Sequence, residues 1–272
     1  MSSMETTNLT KEKLSKMFAE GKRFDGRGLL DMRDIELSYG VSNKAEGSAR
    51  VKIGKTEVIA GVKLEIGTPY SDSPDKGNLM VSGDLLPLAS PRYESGPPGF
   101  DAIELPRLVD RAIRESGIIE FEKLVVEKGE KVWTIIVDIY PINDDGNVID
   151  AASIAALVAM KNSVFPELDE DGKINYDKKT KNSLPLSKEI SPISFSFFKL
   201  GDSILLDPTR EEEEACEARI TYGISNWKDG QIMLNSCQKK GPATLSQKEV
   251  EKIMEIIPKK FEELNKKLKK FL

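Results

Sequence analysis

A chain of 272 residues with no histidine and only two cysteines excludes histidine triads, histidine-metal sites and a disulfide framework. Its 39% of hydrophobic residues is enough to bury one large or two small cores. A formal charge of -5 excludes a long-range field drawing nucleic acid to the whole surface, so any nucleic-acid contact has to be local.

Asn8 to Glu20 reads as a helix, with Leu14, Met17 and Phe18 at helical spacing, Asn8 or Thr10 as its cap and Gly21 as its terminator. The residues before it, Met1 to Thr7, lack the basic and apolar regions of a signal peptide. No apolar run approaches the ~20 residues that cross a bilayer, so a cytoplasmic protein is expected. From Ile35 to Ile66, β-rich runs broken by Gly47 and Gly54 predict antiparallel strands. A proline- and glycine-rich loop from Pro91 to Gly99 then leads to Asp101-Ala-Ile-Glu104, spaced as a capping box. A helix follows from about Ile103 to Ser116, with Pro106 in its tolerated first turn. On it, Arg107, Arg111 and Arg114 stand at i, i+4 and i+7. That is either a clamp for the phosphates of single-stranded RNA or a solvated face paired with Glu104, Asp110 and Glu115.

Strands on either side of Gly129-Glu130 form a hairpin, and Trp133 and Tyr140 are expected to pack in the core. The second strand runs into a glycine turn at Gly146 and an alanine-rich helix through Ala151 to Met160. Such a helix start presents free backbone N–H groups and the positive dipole end, where an anion binds if a hydroxyl or guanidinium completes the cradle. The two residues after the glycine are Asn147 and Val148, which supply neither. Between Phe165 and Ser183 a charged stretch reads as an exposed insertion or linker, and β-rich character returns from Ile193 onward, with Phe195, Phe197 and Phe198 assigned to the core. Glu211 to Glu214 reads as a solvated helix start and not a metal site, so neither metal nor cofactor is expected. Cys216 and Cys237 read as buried or incidental thiols. Ser246 caps a last helix carrying Val250, Ile253, Ile256, Ile257, Phe261 and Leu264 as an apolar stripe, kinked at Pro258, and the lysines from 266 to 270 read as its surface. The order suggests an α+β protein with two similar halves: a helix over 1–22, a first half over 23–165, the charged segment over 166–188 and a second half over 189–272.

Several motifs in order carry a resemblance. They are Arg23-Phe-Asp-Gly-Arg27 with Met32-Arg33, Ala45-Glu-Gly-Ser-Ala49, Val51-Lys-Ile-Gly54 with Thr56-Glu-Val-Ile-Ala60, Gly77-Asn78-Leu79, Gly96-Pro-Pro-Gly99, and Ala102-Ile-Glu-Leu105 with Val109-Asp110-Arg111. Together, over roughly Gly21 to Leu264, the chain resembles the RNase PH family and, within it, the non-catalytic branch that helps build the archaeal exosome ring. The resemblance implies an RNase PH-like fold, two β-α-β type halves related to the ribosomal protein S5 domain 2-like fold. In active relatives a Ser-Arg or Thr-Arg pair follows the glycine matching Gly146 and binds the attacking phosphate. Gly146, Asn147 and Val148 are therefore a degenerate phosphate site. The aspartate thought to act as general acid is matched by Arg219, a guanidinium that stays protonated near neutral pH.

The resemblance further implies pairing with a catalytic RNase PH-like exosome subunit, three heterodimers to a ring, RNA-binding cap proteins above it and single-stranded RNA as substrate. Phosphorolysis from the 3′ end would belong to the pair and not to this chain. Two alternatives stand beside this reading. One is an active enzyme with relocated groups, Asp144 or Asp145 as acid and Arg219 as phosphate ligand. The other is a self-associating RNA-binding module. Arg23, Asp25, Arg27 and Arg33 read as structural caps and ion pairs more readily than as RNA contacts.

Overall fold

The computed structural model describes residues 6–169, 173–226 and 230–271. The opening helix α1 (Asn8–Ala19) buries Leu14 and Phe18; Thr7, not Asn8 or Thr10, caps it, its hydroxyl accepting from the Thr10 N–H. Gly21, at φ +72°, ends it as expected. Residues 1–5 of the opening stretch, in which no signal peptide is read, lie outside the described residues.

The first sheet is built from β1 (Ile35–Tyr39), β2 (Gly47–Ile53), β3 (Thr56–Gly67), β4 (Asn78–Gly83), β5 (Val125–Glu127) and β6 (Lys131–Asn143). Its order is β1-β2-β3-β6-β4, with β5 hairpinned onto β6. All pairs are antiparallel except β4 with β6, which helix α2 (Phe100–Arg114) connects as a β-α-β unit. The second sheet is antiparallel, ordered β10-β9-β11-β12, from β9 (Ile193–Leu200), β10 (Ser203–Leu206), β11 (Ala218–Asn226) and β12 (Ile232–Lys240), with the short helix α4 (Arg210–Ala215) after β10.

Helix α3 (Val148–Lys161) lies between the sheets, against β2, β3 and β6 on one side and β9 on the other. It is buried along almost its whole length, which its alanines permit because small side chains let two sheets close on one helix. The approach is tight: a Cβ on Gly47 would stand 2.3 Å from the Ala159 carbonyl oxygen. A last helix, α5 (Gln247–Leu268), is capped by Ser246 and Glu249, runs through Pro258 without ending, and buries Ile253, Ile257, Phe261, Leu264 and Leu268.

Three expectations change. The charged segment forms β7 (Val164–Leu168) and β8 (Ile174–Ser183), a two-stranded ribbon tied to the body by Tyr176 Oη donating to the Leu64 carbonyl and Lys179 Nζ donating to the Ala45 carbonyl. Its tip, 170–172, lies outside the described residues. Tyr140 is 38% exposed instead of in the core, because it points to the sheet face opposite Ile139; Trp133 is half-buried against Phe165 at 5.1 Å. Phe195, Phe197 and Phe198 are buried as expected. Cys237 is exposed, whereas Cys216 is half-buried. Among the described residues no helix is long and apolar enough to cross a membrane.

Candidate functional site

β6 ends beside the second sheet, and the turn Asp144–Asn147 carries the chain into α3. Gly146 adopts φ +86° and has no room for a side chain, since a Cβ would lie 2.6 Å from the Pro208 carbonyl oxygen. The turn is fastened by Thr56 Oγ1 and Arg33 Nη2, both donating to the Gly146 carbonyl, at 2.6 and 3.0 Å, and by the Gly146 N–H donating to Asp144 Oδ1 at 3.0 Å.

The helix terminus that the strand-turn-helix pattern offers to an anion is occupied from within. The Asn147 N–H donates to Glu213 Oε2 at 2.7 Å, so a carboxylate of α4 sits at the N–H group a phosphate would require. Burial, reinforced by nearby Asp144, raises the Glu213 carboxyl above its ordinary range, against the opposing pull of Arg92 and the Asn147 N–H. The Asn147 side chain is turned away, its Nδ2 donating to Asp207 Oδ1 at 2.9 Å, and Val148 is buried. Gly146, Asn147 and Val148 thus form a closed turn.

Arg219 lies on β11, 8% exposed, facing the same cleft. Its Nη2 is 2.8 Å from Glu104 Oε1 on α2, an ion pair off hydrogen-bond geometry, and its Nε has no hydrogen-bond partner. Between them is a cavity of about 70 Å³ lined by Arg92, Asn147, Glu213, Arg219 and Lys240 among others. The relocated-acid candidate Asp144 is committed: Arg92 Nη2 and Tyr93 Oη both donate to its Oδ2 at 2.5 Å. Asp145 is partnered by Arg33.

The Arg23-Phe-Asp-Gly-Arg27 segment is structural. Arg23, 3% exposed, pairs with buried Glu212 and donates to the Leu206 and Asp207 carbonyls; Arg27 and Arg33 converge on the Asp207 carboxylate. Burial opposes the charge of Asp207, but the hydrogen bonds and positive charge of Arg33 outweigh it and hold its carboxyl below the usual range. The solvated reading of Glu211 to Glu214 is therefore corrected. Glu212 and Glu213 point inward as counter-charges, Glu214 is half-buried beside Arg92, and Glu211 alone is exposed. Asp207 is the residue the sequence did not reveal, and Glu104 and Glu213 take roles other than those read for them; the one available signal for Asp207 was that three N-terminal arginines need buried acids.

Helix α2 starts at Phe100, a turn earlier than its pattern suggests, with Gly99 giving no side-chain cap. The capping box does not form because Asp101 and Glu104 are drawn to Lys240 and Arg219 of the second sheet. Pro106 consequently falls in the second turn, where the Ala102 carbonyl loses its helical donor. Arg107, Arg111 and Arg114 share the outer, exposed face. Arg114 is held by Asp110, at 2.6 and 3.0 Å, and donates to the Leu79 carbonyl, whereas Arg107 and Arg111 have no ion pair among the described residues.

Profiles of the 3′ exoribonuclease family, RNase PH, match this chain twice: domain 1 over residues 31–166 and domain 2 over residues 191–256. This chain belongs to the RNase PH family. Among curated RNase PH relatives, the exosome complex component Rrp42 of Pyrobaculum aerophilum is 46% identical over 222 residues, 81% of each chain. That of Methanosarcina acetivorans is 39% identical over 94% of this chain and 92% of its own. A chain from the Archaeoglobus fulgidus exosome with RNA bound to the active site superposes with a TM-score of 0.86 at 38% identity, over 96% of this chain and 98% of that one. The RNase PH-like α+β fold follows from these matches and from the two sheets.

Proposed function

We propose that this chain is a ring component of an archaeal-type exosome that performs no phosphorolysis itself. It pairs with a catalytic RNase PH-like subunit and helps hold single-stranded RNA for degradation from the 3′ end, in a cytoplasmic ring topped by RNA-binding cap proteins. The relatives named exosome component Rrp42 and the likeness to an exosome chain support the ring assignment. The non-catalytic assignment rests on one observation above the others: the Asn147 N–H is already bonded to Glu213. Phosphate would have to displace a carboxylate there and would meet Asn147 and Val148 where a hydroxyl and a guanidinium belong. Arg219 cannot donate a proton near neutral pH, and Asp144 is engaged by Arg92 and Tyr93.

The RNA contact assigned to this chain is the outer face of α2. Arg107 and Arg111 are free to meet phosphates with bidentate forks, while Arg114 is fixed against Asp110 and β4 and extends the positive face. The deciding experiment measures phosphate-dependent release of nucleoside diphosphates from a 3′-tailed RNA by the chain alone and by the chain mixed with its catalytic relative. Activity in the mixture only is expected. Release by the purified chain alone would overturn the non-catalytic reading.

A further inference from the structure

We propose that Arg219 is a positioning residue which, through Glu104, sets the placement of the RNA-facing arginines on α2; this rests on α2 being the RNA contact. Three groups from two adjacent strands converge on the inner side of the helix's first turns. Glu104, 5% exposed, has Oε1 at 2.8 Å from Arg219 Nη2 and accepts from Gln238 Nε2 at 3.0 Å, while its Oε2 lies 3.4 Å from Lys240 Nζ. Lys240 also pairs with Asp101 and sits 4.8 Å from the centre of the Phe100 ring. Arg219 and Lys240 face each other across β11 and β12, and Gln238 follows two residues along, so the donors form one rigid cross-strand group.

Apart from the buried Leu105 and Leu108, the helix end they hold lacks the usual fastenings. Gly99 supplies no capping side chain, Pro106 removes a backbone hydrogen bond, and the chain enters from a glycine- and proline-rich loop. Arg107 and Arg111 follow Glu104 at i+3 and i+7, so they stand beside it on the adjoining, exposed edge of the helix. The charge group that grips Glu104 therefore fixes the angle at which its helical neighbours Arg107 and Arg111 meet RNA. Where the family resemblance puts a proton donor, this chain has an anchor of opposite charge acting on a neighbouring helix. Arg219 is 8% exposed and acts through Glu104, which makes it a positioning residue.

The test uses the ring reconstituted with its catalytic partner and measures single-stranded RNA affinity over a range of salt, together with amide exchange in 100–106. Arg219→Met is expected to weaken RNA binding about tenfold and to speed exchange in 100–106, with β11 protection unchanged. Arg219→Glu combined with Glu104→Arg restores affinity that each single substitution loses, an outcome that simple loss of packing does not produce. Arg111→Glu is run alongside. If Arg111→Glu weakens binding and Arg219→Met does not, the positioning role is overturned while the RNA face stands. If neither changes binding, α2 is not the RNA face and both fall.

Discussion

Asp207 ties Arg27, Arg33 and Asn147 together through its carboxylate. Its φ of +51° is rare for a residue other than glycine, and its carboxylate accepts from the Arg33 N–H at 2.7 Å, the Arg33 guanidinium, Arg27 and Asn147. Beside it, Arg23 and Glu212 form a buried pair whose worth lies in being intact. Arg23→Met leaves Glu212 buried and uncompensated and should cost about 3–5 kcal/mol, read as a lower urea midpoint; a loss below about 1 kcal/mol would contradict it. Asp150 behaves in the opposite sense. It is buried in the first turn of α3, accepts from the Ser196 N–H and hydroxyl, and has its carboxyl pushed up to about 7, by burial first and by Asp207 second. The folded protein holds a proton there that the unfolded chain has released above about pH 4. Stability from this group is therefore full below that pH and declines, by at most about 1.4 kcal/mol per pH unit, until about pH 7. Urea midpoints from pH 5 to 8 should show this decline in the native chain and a flatter profile in Asp150→Asn. The structural role of the N-terminal arginines was legible because Asp-Gly turns between arginines make local ion pairs. Their main acceptor was not, because Arg33 and Asp207 are 174 residues apart and no local pattern links them.

At the scale of elements, sequence and structure agree where periodicity and burial coincide, as in α5, α3 and the strands of both sheets. They part at α2 and at the ribbon. The Asp-x-x-Glu spacing at α2 is a genuine capping pattern, but lysine and arginine from β12 and β11 outbid the backbone for those carboxylates. Strand β8 of the ribbon has both faces largely open to solvent, so it lacks the alternation by which a half-buried strand announces itself. The degenerate turn at α3 was readable from Asn147 and Val148 alone; that a carboxylate fills it was not. Asn147→Ser with Val148→Arg should for this reason fail to give the isolated chain phosphorolytic activity, because Glu213 keeps the N–H group and Arg219 keeps the acid position. Appearance of nucleoside diphosphates would show that the two side chains were the whole deficit. On α2, Arg107→Glu with Arg111→Glu should lower RNA affinity of the assembled ring and reduce the slope of log affinity against log salt by about 2, one for each lost phosphate contact. An unchanged slope would remove these arginines from the RNA path.

At the scale of the whole molecule, α3 makes the two sheets mutually dependent. A helix apolar on every side cannot be covered by one sheet, and β9 supplies the second cover. A fragment ending at residue 190 keeps the first sheet and α3 but lacks that cover. It should show no cooperative urea transition, whereas the full chain unfolds in one; a cooperative fragment would mean that the first half is self-sufficient. The same interlock has a consequence for synthesis. Arg23 leaves the ribosome early, but Glu212 lies 189 residues further on. At translation rates of ~5–20 residues per second Arg23 waits roughly 10–40 s for its acid, and through that interval the opening segment is held only by its contacts within the first half, such as Arg33 with Asp145.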